Sequence, residues 1–363
     1  MSGRLRRTIR AVSLAATVAL LPPPTVAVAD PPEAEASVAD LLIRLQGLYQ
    51  KAEEATEKFN EVEEKLSAQR KRTSAATRRL AGARTALVAS REAAGRLARE
   101  QYRGSGGLGP TVQALLAGDA KGVTDRRHEM RRASTRQAAV VERLIRGERR
   151  ADRLAHTARE ALEKRQALAA KRKKQRDKVT SRLKEIEETL SSLTDEQLAE
   201  LRREEERETD EAQRELLESG LLGPVGGPAR APSTDGRQAL RYAVRQLGKP
   251  YVWGAEGPAS FDCSGLTSRA WAQAGRPIPR TSQEQWRRLH RVPLRELRPG
   301  DLVLYFPGAT HVALYAGAGM VVQAPRPGTA VRLSPIAGNP LLGAVRPDHT
   351  PRKASRKPAP RPA

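Results

Sequence analysis

Cysteine is almost missing from this chain: Cys263 is the only one among 363 residues. A lone thiol cannot close an intrachain disulfide, so no disulfide framework is expected to hold the fold. Aromatic residues are scarce too, with three Phe, three Trp and six Tyr, and nine of them follow Arg237. An aromatic-anchored core is therefore expected only in the last third. The preceding part, rich in Ala, Arg, Glu, Lys and Leu, suits long helices better than a compact core. Beyond the N-terminal segment no stretch is apolar enough to span a bilayer, so no transmembrane segment is expected in the mature chain. No His/Cys/Asp cluster has the spacing of a metal site, and neither metal nor other cofactor is expected.

Negative charge is in deficit. Lys and Arg total 65 against 42 Asp and Glu, a net charge of +23 and a sequence pI near 10.9. Such a balance favours a polyanionic partner: nucleic acid, an anionic membrane or a cell-wall polymer. Residues 1–29 help to choose. Arg4, Arg6, Arg7 and Arg10 precede a short apolar stretch over residues 11–21, and Ala27-Val28-Ala29 offers a small-x-small cleavage site. That is the pattern of a secretory signal peptide; the other reading is a basic N-terminal segment. Export argues against nucleic acid and places the mature protein outside the cell, secreted and wall-associated. A lone thiol in that oxidising setting is a liability unless it has a use.

From Leu41 the chain follows a 4-3 spacing through Leu45, Leu48, Ala52, Ala55, Phe59, Val62, Leu66, Gln69, Thr73, Ala76, Leu80, Ala83, Leu87, Ser90, Ala94, Leu97 and Gln101. With no proline in the run, this is a coiled-coil seam. Glycines and Pro110 over residues 103–110 break it, and helical composition resumes near Thr124 and continues to about Glu218. The looser seam of this second arm is clearest at Val179, Leu183, Ile186, Leu190 and Leu193. Two long helices about a Gly-rich bend predict an antiparallel hairpin over residues 36–218. It is either a passive spacer or a docking arm whose apolar tip, residues 108–116, meets a membrane complex or folds back on the rest of the chain. Residues 219–236 read as a Gly/Pro linker, 237–347 as a compact domain and 348–363 as a basic disordered tail.

The chemistry lies in residues 237–347. The run from Cys263 to about Ala274 is helix-compatible, which puts the thiol in a first turn, where the macrodipole favours a thiolate and lowers its pKa. Of the three histidines from residue 237 onward, His349 falls in the polar tail and His290 is flanked by Arg287, Arg288 and Arg291, as a surface residue would be. His311 opens an alternating run that reads as a strand, and residues 320–324 read as a second strand after a glycine turn. Positions 311 and 323 differ by an even number, so His311 and Gln323 share one face of that hairpin, opposite or diagonal. Gln323 can then accept from one ring nitrogen and leave the other for Cys263, the nucleophile–base–orienter logic of a triad.

Five motifs in order, Tyr251-Val252-Trp253-Gly254, Asp262-Cys263-Ser264-Gly265-Leu266, Pro279-Arg280-Thr281-Ser282, Pro299-Gly300-Asp301-Leu302-Val303 and His311-Val312-Ala313-Leu314-Tyr315, resemble the NlpC family of cell-wall cysteine peptidases. The resemblance implies an α+β, papain-like NlpC domain, its cysteine helix packed on an antiparallel sheet, following an all-α coiled-coil hairpin. It implies hydrolysis of peptidoglycan stem peptides, typically between D-glutamate and a diamino acid. Cys263 maps to the nucleophile, His311 to the base and Gln323 to the third, polar position. Tyr251 would bind substrate or oxyanion, and Asp262 and Ser264 would line the substrate cleft. Gln323 departs from the commoner His or acid, and an amide stabilises imidazolium less than a carboxylate does. The whole layout is also similar to exported division-associated hydrolases whose coiled coil couples or restrains the enzyme through a membrane division complex. Two other readings stay open: a non-catalytic coiled-coil regulator of another wall hydrolase, and a related thiol amidase or acyltransferase.

Overall fold

The computed structural model describes residues 37–104, 120–223 and 230–349. The expected signal peptide, the Gly-rich bend from Ser105 with its apolar tip, the middle of the linker and the tail from residue 350 lie outside the described residues. All the described helices and strands belong to one compact unit, Val38–Ala363. Among the described residues no helix is long and apolar enough to cross a membrane.

Two helices dominate the first part: α1 (Val38–Gly104) and α2 (Ala120–Ser191). They pair antiparallel, since Glu63 meets Arg172, the Gln69 and Thr73 side chains reach the Ala161 carbonyl, and Arg91 meets Glu148. The seam positions Leu45, Ala52, Phe59, Val62, Leu66, Ala76, Ala83 and Leu87 are all buried. Beyond Ser90 the seam is half-buried at Ala94 and Leu97 and exposed at Gln101, because small and polar residues leave little apolar area to cover.

The second arm is not one helix to residue 218. Thr194 forms a capping box with Gln197: its hydroxyl accepts the Gln197 N–H at 3.2 Å, and Gln197 Oε1 accepts the Thr194 N–H at 3.0 Å. That ends α2 and starts α3 (Asp195–Glu218). Helix α3 turns back along the first turns of α1, with Leu201 packed on Leu42 and Leu45. Its far end brings Leu216 to one face of the sheet.

The second part is α+β. Helix α4 (Thr234–Val244) begins within the stretch read as linker because the Ser233 hydroxyl caps it on Gly236 N–H at 2.8 Å. Helices α5 (Cys263–Gln273) and α6 (Ser282–Arg288) follow. Six strands come next: β1 (His290–Val292), β2 (Leu302–Tyr305), β3 (His311–Gly317), β4 (Met320–Gln323), β5 (Arg332–Pro335) and β6 (Leu341–Arg346). They form one antiparallel sheet in the order β1-β6-β2-β3-β4-β5.

Period-two alternation sorts the side chains of β2 and β3 between two layers. Leu302, Leu304, Val312 and Leu314 pack under α4 and α5 with Phe261, Leu266 and Trp271. Val303, Tyr305, Ala313 and Tyr315 face the other way, towards Leu216 and Ile336. Both layers are buried, each large apolar side chain contributing about 1.5–3 kcal/mol of transfer free energy. Trp271 is fully buried and satisfies its indole N–H on the Gly300 carbonyl at 3.2 Å. The α5 helix is thereby clamped to the sheet, and its first residue has a fixed position.

Candidate active site

Cys263 is the first residue of α5, and the helix starts there because Asp262 caps it. Asp262 Oδ1 accepts the Gly265 N–H at 2.6 Å. Its other oxygen accepts the Gly254 N–H at 2.9 Å and the Arg280 guanidinium at 2.7 Å. Arg280, with 8% of its side chain exposed, also donates to Asp262 Oδ1 at 3.0 Å and to Ser264 Oγ at 2.8 Å. A fork of this kind holds a fully buried carboxylate rigid. Gly265 belongs to the same joint: a Cβ there would stand 2.2 Å from the Ala255 carbonyl oxygen. The residues expected to line a cleft are thus placed under the thiol, with Asp262 at 0% exposure and Ser264 beside it.

His311 opens β3 and is fully buried. Its Nε2 lies 2.7 Å from Gln323 Oε1. The β3–β4 pairing of Leu314 with Val322 makes the two residues diagonal neighbours on one face. An amide oxygen only accepts, so Nε2 carries the proton and Nδ1 is the nitrogen left for chemistry. Tyr251 is buried near the thiol. Its hydroxyl is pushed well above its ordinary pKa by burial, then by the charges of Cys263, Asp262, Glu53 and Glu57, so it remains a neutral donor.

Helix α1 completes this pocket. Glu57 is fully buried; its Oε1 accepts from Ser264 Oγ at 2.6 Å and lies 3.6 Å from Cys263 Sγ, and its Oε2 accepts the Ser282 N–H at 3.1 Å. One turn earlier Glu53 Oε1 lies 3.1 Å from His311 Nδ1. With a proton on Nε2 alone these would be two acceptors; the imidazolium turns the contact into an ion pair. One turn later Asn60 Nδ2 donates to Asp262 Oδ2 at 3.0 Å. His311 Nδ1 makes no hydrogen bond to Cys263. Thiol and imidazole each face a carboxylate of α1.

The electrostatics follow. The helix start was expected to lower the Cys263 pKa; instead burial pushes the thiol well up, and Glu57, Asp262 and Glu53 add to the rise against Arg280 alone. One helix terminus, equivalent to about half a charge, does not offset three carboxylates in a buried pocket. Glu57 is itself driven up to about 7 by burial and by Asp262, against Arg280, Ser264 and the Ser282 amide. Burial alone would lower the His311 pKa, but the Glu53 charge and bond, with Gln323 and Glu57, leave it raised.

Glu53, Glu57, Asn60 and Arg280 are the site residues that the sequence did not single out. The glutamates alternate with Glu54–Lys58 and Glu61–Lys65 pairs, the pattern of a solvated helix face. Arg280 stood in a family-like motif with no role attached. His290, expected at the surface, is exposed and stacks on His349 at 3.5 Å. Among the described residues no group of three or more His, Cys, Asp or Glu could hold a metal ion.

An antiparallel sheet carrying a buried His–amide pair, with a cysteine at the start of the helix packed on it, is the layout of a papain-like thiol-hydrolase domain. Residues 248–343 match the NlpC/P60 family. A probable endopeptidase of Corynebacterium glutamicum (strain R) is 43% identical over 124 residues, covering 34% of this chain and 59% of that protein. The peptidoglycan endopeptidase RipA of Mycobacterium tuberculosis is 35% identical over 139 residues, covering 33% of this chain and 29% of its own length. The chain therefore spans less than two thirds of these relatives. The crystal structure of the NlpC/p60 domain of the peptidoglycan hydrolase SagA is 31% identical, covering 31% of this chain and 97% of that one, at a TM-score of 0.29.

Proposed function

We propose that the C-terminal domain hydrolyses an amide bond in the peptide stem of peptidoglycan, between D-glutamate and a diamino acid, acting outside the cell at the wall. The names of the relatives support the substrate class. The observation that carries the chemistry is the ring held by Gln323, which fixes the proton on Nε2 and turns Nδ1 into the pocket that holds the thiol.

In this reading Nδ1 of His311 takes the thiol proton and the Cys263 thiolate attacks the amide carbonyl. Backbone N–H groups at the start of α5 and the Tyr251 hydroxyl hold the oxyanion. The imidazolium gives its proton to the leaving amine, and the thioester that remains is hydrolysed by a water that His311 deprotonates. Arg280 and Asp262 touch no reacting atom and position the start of the helix. The coiled coil is the regulating part of the molecule.

Prolonged incubation of the full chain with purified peptidoglycan, followed by mass spectrometry of the soluble muropeptides, tests this. New fragments ending at D-glutamate that vanish with Cys263→Ala are expected. The same fragments from Cys263→Ala would overturn the reading.

A further inference from the structure

Charge is not spread evenly along the helical hairpin. Residues 38–69 and 179–218, nearer the catalytic domain, hold ten Lys and Arg against 21 Asp and Glu. Residues 70–103 and 127–165, the far half, hold 22 against eight. Asn60 meets Asp262, so at 1.5 Å per residue the far end of α1 lies roughly 60 Å beyond the thiol site. All 22 basic side chains of the far half are exposed. Among the described residues, only Arg70, Arg91 and Arg146 of that set face a carboxylate, on Glu63, Glu148 and Glu142. Arg132 and Arg136, Arg146 and Arg150, and Arg149 and Arg153 are like charges four residues apart, an arrangement that destabilises a helix. An external polyanion relieves that repulsion.

We infer that the far half of the hairpin is a cationic rod that binds a linear phosphodiester polymer of the cell wall. The wall location rests on the peptidase reading above; the phosphate chemistry rests on the rod itself. Twenty of its 22 cations are Arg, whose planar guanidinium pairs phosphate oxygens two at a time. Neighbours such as Arg70-Lys71-Arg72, Arg78-Arg79 and Arg149-Arg150 project about 100° apart, so charge surrounds the rod outside its seam. A flexible chain of phosphates can follow that geometry, whereas a flat bilayer meets one side of it. No Phe, Trp or Tyr occurs in residues 70–101 or 120–191. The rod therefore lacks both the aromatic anchors of an interfacial membrane helix and the platforms on which nucleobases stack.

The seam gives the rod one recess. Between α1 and α2, where Ala76 and Ala161 leave space, lies a groove of about 380 Å³ lined by Arg72, Arg79 and Lys164. The one carboxylate in its lining, Glu160, lies 3.2 Å from His156 Nδ1. Three cations around a recess give one phosphate of the polymer a seat, and the arginines along the rod take its neighbours.

The test measures binding of fluorescently labelled poly(glycerol phosphate) to the full chain by anisotropy. Wild type is compared with Arg72→Gln/Arg79→Gln/Arg149→Gln/Arg153→Gln/Lys164→Gln. A control removes the same number of exposed charges from the catalytic domain, Arg237→Gln/Arg241→Gln/Arg245→Gln/Arg269→Gln/Arg295→Gln. Helix content by circular dichroism checks folding, and Gln is a good helix former. Wild-type affinity should fall about 10³-fold or more between about 50 and 200 mM NaCl, as several phosphate contacts require. The rod variant should bind about tenfold or more weakly and with a shallower salt dependence, and the control should bind like wild type. No binding by wild type at low salt, or equal losses in rod variant and control, would overturn the rod. Tighter binding to phosphatidylglycerol vesicles, to poly-L-glutamate or to oligothymidylate would overturn the wall polymer as its partner. Polymer binding without release of muropeptides from peptidoglycan keeps the rod and removes the peptidase reading instead.

Discussion

At the start of α5 the thiol lies 3.6 Å from a carboxylate oxygen, so ionising it would set two negative charges side by side. Burial and Glu57 therefore hold Cys263 neutral, above its ordinary 9.0. A raised pKa means that thiolate forms only at higher pH. The pH midpoint for iodoacetamide alkylation should exceed 9.0 in the wild-type chain and fall once the α1 glutamates are replaced by alanine. His311 and Gln323 divide their labour differently. His311→Ala should cost about 10²–10⁴-fold in turnover of peptidoglycan, the span of general acid–base catalysis. Gln323→Ala should cost less, because the ring keeps its basic nitrogen and loses only its anchor. An unchanged rate and pH profile for Gln323→Ala would reduce that residue to scaffold.

Among the elements, α5 depends on a joint with no slack. Gly265 fits because a side chain there would collide with the Ala255 carbonyl at 2.2 Å and the Asp262 carboxylate at 2.8 Å. Backbone cannot yield as a flexible side chain does, so Gly265→Ala should destabilise the chain by about 1–3 kcal/mol or more. Asp262→Ala removes the helix cap and the buried counter-ion of Arg280, which keeps only the half-exposed Glu256. The expected loss is about 3–5 kcal/mol, the range for breaking a buried pair from one side. Urea denaturation followed by tryptophan fluorescence reads both, since all three tryptophans lie in this part of the chain. A midpoint equal to wild type in either variant would contradict the joint described.

Across the whole molecule, the packing of α1 on the Cys263 pocket is sensitive to pH. Glu57 stands at about 7 when docked against an ordinary 4.5, facing Cys263, Asp262 and Arg280 from the catalytic part and Glu53 on its own helix. A carboxyl whose pKa is raised by docking favours the docked state fully below 4.5 and loses that contribution as pH climbs through about 7. His311, raised above 6.5 mainly by Glu53 against the opposing effect of burial, acts in the same direction. Its ion pair is present in acid and lost as the ring deprotonates. The packing of α1 on the pocket should weaken from pH 5 to pH 8, and labelling of Cys263 by a bulky polyethylene-glycol maleimide relative to iodoacetamide should rise about tenfold or more across that window in the wild-type chain. A flat or falling ratio would contradict this coupling.

Much of the architecture was legible in residue order. Cys263 at a helix start, the His311–Gln323 hairpin and the α1 seam all follow from local spacing, because a strand repeats every two residues and a helix every 3.6. The break at Thr194 is legible too, as a Thr-x-x-Gln capping box. Glu53, Glu57 and Asn60 were not legible at all: more than 200 residues separate them from Cys263 and Asp262, and locally they look like a solvated face. The sequence by itself determined which groups are candidates for chemistry, because a thiol at a helix start and a His–Gln pair on one hairpin face are set by residue type and local period. Only the tertiary structure decided whether they are free to act. A long-range contact brought three carboxylates into one buried pocket, where desolvation and like charge outweigh the helix dipole that local reasoning had relied upon.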